Sequence, residues 1–514
     1  MSHPTTPAPL LPFGPRAQLA AALALVLLVR FGLAAASECI HSDGPEYVKV
    51  AEWYAAGRYD KALAHPYHPM YPVLLACAHG LLGDWERAGL AVSALLSSLA
   101  AIPLFRLARR SFGEAAALPA ALLYALHPYV QLSAMVATTG TYLFWVLWTM
   151  DLADQARREN DVRATLLAGL CAGGGYLTRP DGLLLFLGTA AVVAHGVRDW
   201  RGRAKHAAAL GLAGAMVVLP YCAWLWAVTG SWVPTGKMQP VHLWLQELRD
   251  TEGVPVFTEH QRRIVDLRTS HPVWHVLSGI GRTAWETLRA LHVPGLFLIA
   301  GLALAWRGRR EEPRPGNWTM LAFPAIFVLA LAYFSTVAGR ESKRYTVPIA
   351  AMTLAWSGAG MARLAARWGA EGGATRRLRW IAGVTVLVLC VWALRVPGSD
   401  KAGERIAGLW IREHAPRERP RVLTRMDRVA FYAQGLYLPI FSHEPLDPEK
   451  LAARIDAEHP DYLVADYHLE EVFPGFFAWT ENAGKERLKL VYQTTKPSSR
   501  DDEDQLRVFQ VLPR

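Results

Sequence analysis

Long apolar stretches recur along the first 395 residues of the chain. A helix that crosses the hydrocarbon core of a membrane needs about 20 mostly apolar residues, and about eleven stretches approach that length. They lie near residues 17–36, 88–108, 115–131, 133–152, 164–177, 183–197, 207–228, 286–306, 318–338, 345–363 and 380–395. The pattern predicts a polytopic α-helical membrane protein. Arg30 interrupts the first stretch, and no small-x-small cleavage pattern follows it, so we expect a retained first helix rather than a signal peptide.

Basic clusters follow every second predicted span. Since Lys and Arg accumulate in cytoplasmic loops, these clusters predict a cytoplasmic N-terminus. The segments predicted to lie on the outer side are then loops 37–87, 178–182, 229–285 and 339–344 and residues 396–514. The clusters lie within 106–110, 157–163, 198–205, 307–314 and 363–379.

The pattern changes after residue 395. Apolar runs typical of strands lie at 421–424, 462–465, 489–493 and 506–512, and helical periodicity appears at 404–413 and 451–458. Strands alternating with helices favour a small α/β domain. We therefore predict two domains: a transmembrane domain at 1–395 with long outer loops 37–87 and 229–285, and an extracytoplasmic soluble domain at 396–514.

Composition agrees with this division. Apolar residues make up 52% and charged residues 19% of the chain, against about 25% charged residues in soluble proteins. Residues 1–395 contain 37 basic and 24 acidic side chains, whereas residues 396–514 contain 17 and 20. The basic excess thus sits in short loops between spans and reflects topology rather than a nucleic-acid partner. Five cysteines without paired spacing exclude a disulfide scaffold.

The first outer loop carries two acids directly after the first span. Asp43 and Glu46 stand three residues apart, followed by Tyr47 and the amphipathic stretch 48–54. Acids at this place suit the positive end of a helix. Asp43 is therefore either a functional carboxylate or simply an N-cap.

His65 and His68 lie in a proline-rich stretch, His65-Pro-Tyr-His-Pro-Met-Tyr-Pro72. Together with Asp43 or Glu46 they have the residue types of a metal site. The alternative is a rigid turn with surface histidines. The sequence therefore leaves the binding of a divalent metal ion undecided, and it requires no cofactor.

Basic residues also occur on the predicted outer side, against the topology rule. Arg179 lies in the tight turn 178–182, and Arg340, Lys343 and Arg344 precede Tyr345 at the outer end of two spans. An anionic group at the outer membrane surface would explain them. The alternative is that these side chains snorkel towards lipid headgroups.

An acid and several cations on one face suit glycosyl transfer from a lipid phosphate. The carboxylate would take the proton of an acceptor hydroxyl as its oxygen attacks the anomeric carbon. Arg and Lys would offset the charge developing on the departing phosphate. No glycine-rich nucleotide-binding motif precedes a helix, which favours a donor already embedded in the bilayer.

With these motifs in place, the chain resembles the GT-C glycosyltransferases, the superfamily of the protein O-mannosyltransferases and the lipid A aminoarabinose transferase. It is most similar to their bacterial uronosyltransferase-like branch. The family's Asp-Glu-x-x-Tyr motif corresponds to Asp43-Gly44-Pro45-Glu46-Tyr47, in which glycine replaces the second acid. Further similar segments are His65–Pro72, Thr178–Gly182, Arg344-Tyr345-x-x-Pro348 and the soluble tail.

The resemblance implies that Asp43 is the catalytic base, with Glu46 and Tyr47 as a second acid or acceptor contacts. It implies a polyprenyl-phosphate-linked sugar as donor, and a glycan, lipid or protein as acceptor on the extracytoplasmic face of the plasma (inner) membrane. A single base with direct displacement would invert the anomeric carbon. The implied phosphate contacts are Arg179, Arg340, Lys343, Arg344 and Lys237.

Two other classes of protein fit part of this pattern. A transporter or flippase for an envelope lipid would also be polytopic, but transporters place ionisable residues near the bilayer midplane and many have inverted repeats. Arg30 is the main charge inside a predicted span, and the two halves of the chain show no repeat. A non-catalytic scaffold that presents the tail is the third interpretation, in which Asp43 would have no role.

Overall fold

The structure is a computed structural model of the chain. It describes residues 14–230, 232, 235, 272–307, 318–338, 343–370, 384, 387–393, 395–440, 446–497 and 505–512. Lys237 and Arg340 lie outside the described residues, and so does the side chain of Lys343. The chain divides into two compact units. The first comprises 1–35, 47–251 and 263–395, and the second comprises 36–46, 252–262 and 396–514.

The first unit is helical throughout its described part, apart from short turns. Each predicted span overlaps a helix, and the prediction at 318–338 has the bounds of the helix itself. Residues 387–393 are also helical. The helices are α1 Pro15–Ala36, α2 Gly44–Ala55, α3 Tyr59–Ala64, α4 Met70–Leu82, α5 Trp85–Leu99, α6 Ala101–Phe112, α7 Glu114–Ala125, α8 Thr139–Glu159, α9 Val162–Thr178, α10 Leu183–Gly196, α11 Trp200–Thr229, α12 Pro272–Arg307, α13 Trp318–Ala338 and α14 Lys343–Ala370. Two 3₁₀ helices, Pro128–Ala134 and Pro180–Gly182, connect α7 to α8 and α9 to α10.

Several of these helices are long and apolar enough to cross a membrane, as a multi-pass membrane protein requires. Within the described residues, four helical segments meet that criterion: Pro15–Ala36, Trp85–Phe112 (α5 and α6 taken together), Trp200–Ala227 and Trp318–Thr336. Three shorter apolar helices are Met70–Leu82, Glu114–Ala125 and Pro180–Gly196. The count of eleven spans and the orientation therefore remain predictions.

Two of the predicted spans are interrupted near a proline. The stretch 115–131 is α-helical only to Ala125 and continues after Pro128 as a 3₁₀ helix. In α12 the backbone of His292 is non-helical, with φ 47° and ψ −143°, two residues before Pro294. Proline lacks an N–H and clashes with the preceding turn, which accounts for both breaks.

Arg30, the charge inside the first predicted span, is fully buried. Its Nη1 donates to the carbonyl oxygen of Ala125 at 3.1 Å, and its Nη2 donates to that of Tyr124 at 2.9 Å. Both carbonyls belong to the last turn of α7, where no further helical N–H reaches them. A structural contact at a helix C-terminus therefore explains this charge.

Asp151 and Asp154, near the end of α8, are also fully buried. Arg106 lies 3.1 Å from Asp151, and Arg110 bonds to the same carboxylate. Arg158 and Arg157 lie 2.7 and 3.0 Å from Asp154. Arginines from two of the predicted basic clusters thus pair with these two carboxylates.

The second unit contains a five-stranded mixed sheet with the order β2-β1-β3-β5-β4. The strands β1–β2 and β1–β3 are parallel, and β3–β5 and β5–β4 are antiparallel. The four predicted strands are confirmed, and β2 is an addition. The strands are β1 Arg421–Thr424, β2 Leu436–Pro439, β3 Tyr462–Ala465, β4 Leu488–Pro497 and β5 Gln505–Val511.

Helices cover both faces of this sheet, because the strands are apolar on both sides. On one face α15 packs with α16 against Val422, Val464 and Val508. The other face buries Leu423, Leu463 and Phe509. The helices are α15 Ala402–His414, α16 Asp427–Tyr432, α17 Pro448–Glu458, α18 Leu469–Val472 and α19 Phe476–Glu481.

Candidate functional site

Within the first unit, the structure brings Arg179 and Tyr345 together. Arg179 Cζ lies 4.9 Å from the ring centroid of Tyr345 and 4.9 Å from that of Tyr142. Its guanidinium also makes a bidentate pair with Asp181, with Nε–Oδ1 at 2.9 Å and Nη2–Oδ2 at 3.1 Å. The side chain is only 8% exposed. Two motifs that the sequence singled out separately thus form one cluster.

Local sequence explains how Arg179 is placed. The helix α9 ends at Thr178, whose hydroxyl donates to the carbonyl oxygen of Gly174 at 2.8 Å. Arg179 is extended, and Pro180 then begins the short 3₁₀ helix. Gly182 lies against the backbone of Gly175 and Tyr176, where a Cβ atom would overlap main-chain atoms. The turn therefore folds back onto α9 and orients Arg179.

The carboxylate of Asp181 offsets the charge of Arg179, so a phosphate at this place would share the guanidinium with it. Arg344 lies beside Tyr345 in the first turn of α14, and its side chain is partly exposed. Among the predicted phosphate contacts whose side chains are described, Arg344 is thus the more accessible cation.

His68 is buried, and both of its ring nitrogens have partners. Nδ1 lies 2.6 Å from the carbonyl oxygen of Tyr176, and Nε2 lies 2.9 Å from Oγ1 of Thr235. The rings of Tyr176 and Tyr221 surround it, each with its centroid 5.2 Å away. This arrangement holds the proline-rich stretch against α9.

His65 and Tyr47 lie in a neighbouring aromatic group. The ring of Tyr47 stacks on Tyr67 at 4.6 Å and meets the edge of Tyr71 at 5.1 Å. His65 packs against Tyr67 at 4.9 Å, and its Nδ1 accepts the N–H of Tyr67. Tyr47 and the histidine stretch are therefore adjacent, and the rings of Tyr47, Tyr67 and His65 pack together in one aromatic group.

For the metal alternative, the described part of the chain contains no group of three or more His, Cys, Asp or Glu residues that could hold a metal ion.

Asp43 and Glu46 belong to the second unit, which contains residues 36–46 together with the C-terminal domain. A turn presents Asp43: the N–H of Gly44 donates to the carbonyl oxygen of His41 at 2.7 Å, and the N–H of Asp43 donates to Nδ1 of His41. The helix α2 begins at Gly44, with Glu46 in its first turn. We call residues 36–46 the acid segment.

The acid segment is bonded to the C-terminal domain. The N–H of Ile40 donates to the hydroxyl oxygen of Tyr432 at 2.7 Å. The N–H of Glu38 donates to the carbonyl oxygen of Pro397 at 3.0 Å, and Arg405 donates to the carbonyl oxygen of Glu38 at 3.4 Å. Cys39 and Ile40 are buried.

The C-terminal domain adds a carboxylate to this region. Burial raises the pKa of Asp427 to about 6; Arg428 opposes that shift, and Glu404 and Glu46 reinforce it. Burial likewise raises the pKa of Tyr437 to about 12, with added contributions from Asp427 and Glu46. Glu46 therefore has an acidic neighbour from the C-terminal domain.

Sequence reasoning missed these residues of the tail, in which it identified no candidate chemistry. Asp427 and Tyr432 lie in a short helix whose pattern is that of an ordinary amphipathic surface helix. Both residues interact with the acid segment, which lies near the other end of the sequence, and no local sequence pattern indicates such an interaction.

The chain shares its fold with the solved structures of AglB and ArnT, in agreement with the expected fold. The family model for dolichyl-phosphate-mannose-protein mannosyltransferase matches residues 64–224, from the histidine stretch through α11. No curated protein sequence matches the chain.

Two solved structures illustrate the likeness. The oligosaccharyltransferase AglB from Archaeoglobus fulgidus, in its apo form, is 14% identical with a TM-score of 0.60, over 89% of this chain and 70% of that chain. AglB has also been solved with an inhibitory peptide and a dolichol-phosphate. ArnT from Cupriavidus metallidurans bound to undecaprenyl phosphate is 15% identical with a TM-score of 0.54, over 95% of this chain and 97% of that chain.

Proposed function

We propose that this chain is an integral-membrane glycosyltransferase. It takes a sugar from a polyprenyl-phosphate donor and passes it to a glycan, lipid or protein acceptor. The observation that carries the proposal is the fold likeness over almost the full length of ArnT, a structure that contains undecaprenyl phosphate. The family model over residues 64–224 supports it independently.

Asp43 is the catalytic base in this proposal. Its carboxylate accepts the proton of the acceptor hydroxyl while the hydroxyl oxygen forms a bond to the anomeric carbon. The bond from that carbon to the phosphate oxygen breaks, and the phosphate leaves with the electron pair. Direct displacement inverts the anomeric configuration.

Cations near the departing phosphate stabilise its developing charge. Arg344 is the first choice, because its side chain is partly exposed in the first turn of α14 and Asp181 offsets the charge of Arg179. In this arrangement Arg179 holds the ring of Tyr345 in place beside Arg344. Arg340, Lys343 and Lys237 remain proposed contacts on the basis of the sequence.

The site is proposed to face the extracytoplasmic side of the inner membrane, in agreement with the predicted loop charges. Glu46 and Tyr47, which follow Asp43 in the sequence, are proposed acceptor contacts. Tyr67 and His65, which are partly exposed beside the buried Tyr47, offer flat apolar surface of the kind that packs against a sugar ring.

The test is transfer of a radiolabelled sugar from polyprenyl-phosphate donors in membranes containing the wild type or Asp43→Asn. Asp43→Asn should abolish transfer while the protein remains inserted. The matched control is Asp60→Asn, an exposed acid in α3 that should transfer at the wild-type rate.

The result can contradict the proposal in two ways. Transfer retained in Asp43→Asn would overturn the assignment of the base. If the wild type consumes no donor and labelled lipid crosses the bilayer instead, the protein is a transporter of an envelope lipid. Arg344→Gln should raise the KM for the donor, whereas the exposed Arg58→Gln should not.

A further inference from the structure

We infer that the C-terminal domain positions the catalytic acid, with Tyr432 as the positioning residue that holds the acid segment through the backbone of Ile40. This inference rests on the proposed function, because it gives the soluble domain a role in the reaction assigned to Asp43. It concerns only residues of the second unit.

Tyr432 holds the backbone of Ile40 through a buried hydrogen bond. The N–H of Ile40, three residues before Asp43, donates to the hydroxyl oxygen of Tyr432 at 2.7 Å. Ile40 is 2% exposed and Tyr432 is 6% exposed. A buried N–H that loses its acceptor costs about 1–3 kcal/mol. Tyr432 therefore fixes the backbone from which the turn at 41–44 begins.

Tyr432 is itself held in place by its neighbours. The helix α16 approaches α15 closely because Gly408 has no side chain: a Cβ there would lie 2.6 Å from Cβ of Tyr432. Cζ of Arg405 lies 5.3 Å from the Tyr432 ring centroid, and Nη1 of the same arginine donates to the carbonyl oxygen of Glu38. The hydroxyl is thus aimed at the acid segment by packing on both sides.

The C-terminal domain also makes a backbone contact with the acid segment that only glycine permits. Gly398 has φ +74°, and a Cβ there would lie 2.5 Å from the carbonyl oxygen and 2.9 Å from the backbone nitrogen of Cys39. The neighbouring Pro397 accepts the N–H of Glu38. The start of the C-terminal domain therefore packs against the acid segment through main-chain atoms of both.

These contacts are of the kind that positions a catalytic group. A base must lie within hydrogen-bond distance of the proton that it removes, and a displacement of about 1 Å can cost about a hundredfold in rate. A domain that fixes the backbone on the N-terminal side of Asp43 restricts that displacement.

The experiment uses the full-length protein in detergent with two paired comparisons. Tyr432→Phe removes the acceptor for Ile40, and its control Tyr462→Phe removes a hydroxyl that bonds only within the domain, to the carbonyl oxygen of His414. Gly398→Ala places a Cβ atom against the backbone of Cys39. Its control is Gly475→Ala, because Gly475 has a similar φ of +79° and nothing lies near its Cβ position.

The first readout does not depend on catalysis. Cys39 is fully buried in the acid segment, so its alkylation by N-ethylmaleimide, measured by mass spectrometry, reports release of the segment. Cys77, which is exposed, is the internal reference. Tyr432→Phe and Gly398→Ala should speed Cys39 alkylation by about tenfold, and the two controls should leave it unchanged.

The second readout is the steady-state rate of sugar transfer. Both test variants should lower kcat by about tenfold or more with little change in the donor KM, since the base is displaced and the donor site is intact.

The outcomes are distinguishable. Faster Cys39 alkylation with a wild-type kcat would overturn the inference while the proposed function stands. Unchanged alkylation in both test variants would overturn it as well. Transfer retained in Asp43→Asn would overturn the base assignment, whatever the alkylation shows.

Discussion

Arg179 and Tyr345 lie in direct contact, with the guanidinium carbon 4.9 Å from the ring centroid. Arg179 follows α9 and Tyr345 lies in the first turn of α14, so the contact joins two helices that are far apart in the sequence. A cation over an aromatic face contributes about 0.5–2 kcal/mol, and the larger values apply to desolvated pairs such as this one. The contact therefore ties together the part of the first unit from which the proposed phosphate contact Arg344 projects.

Replacing the ring of Tyr345 tests this contact. Tyr345→Leu should lower the Tm of the purified protein by several degrees, because Arg179 loses one of its two aromatic neighbours. Tyr345→Phe keeps the ring and should unfold close to the wild type, as judged by differential scanning fluorimetry in detergent. Equal Tm values for the Leu and Phe variants would show that the contact contributes no stability.

The Arg179–Asp181 pair should be worth more than the ring contact. Asp181→Asn leaves a buried guanidinium with a neutral partner, and breaking a buried pair from one side costs about 3–5 kcal/mol. Because the carboxylate of Asp181 is 25% exposed, we expect the lower end of that range. Thermal unfolding should show a clear loss in Asp181→Asn and partial recovery in the double variant with Arg179→Met. Strictly additive losses in the two variants would contradict this coupling.

Gly182 offers a steric test of the turn after α9. An alanine Cβ at this position would overlap the main-chain nitrogen of Tyr176, which cannot move aside as a flexible side chain could. Gly182→Ala should therefore reduce the folded yield severely, measured as the monodisperse fraction in size-exclusion chromatography. Gly211→Ala in α11 is the control, because nothing lies near its Cβ position and alanine favours a helix over glycine by about 1 kcal/mol. A normal yield of Gly182→Ala would mean that the turn tolerates a different path.

Much of the helical framework could be predicted from the sequence, because length and apolarity specify a membrane-crossing helix with little help from context. The prediction at 318–338 has the bounds of α13, and the change of pattern after residue 395 marks a real sheet. The interruptions at Pro128 and His292 were not predicted, since an apolar stretch has the same composition whether or not it is kinked.

The candidate site was predicted less completely. Residue type and position relative to the spans were enough to select Arg179, Tyr345 and Asp43. Asp181, the ion-pair partner of Arg179, lies two residues away in the predicted turn. The contacts of Arg179 with the rings of Tyr142 and Tyr345 depend instead on packing between helices. Tyr432 had no distinguishing pattern, and its bond to Ile40 depends on tertiary structure alone. A single sequence identifies chemistry-bearing residues more readily than the residues that hold them.

Asp427 should give the C-terminal domain a measurable pH dependence. Its pKa is raised by burial from 3.8 to about 6 in the folded protein, so the folded state keeps a proton that the unfolded state has released between those values. The contribution of Asp427 to the free energy of unfolding is therefore greatest below about pH 4 and decreases as the pH rises to about 6. Above that pH it is about 3 kcal/mol lower. Asp427→Asn removes the titration but keeps a polar side chain. Thermal unfolding of the full-length chain by calorimetry should show little difference between variant and wild type at pH 4, and a more stable variant at pH 7.5. A difference that stays constant over this range would show that Asp427 does not titrate between the two states, and that Arg428 compensates its burial and the neighbouring acids.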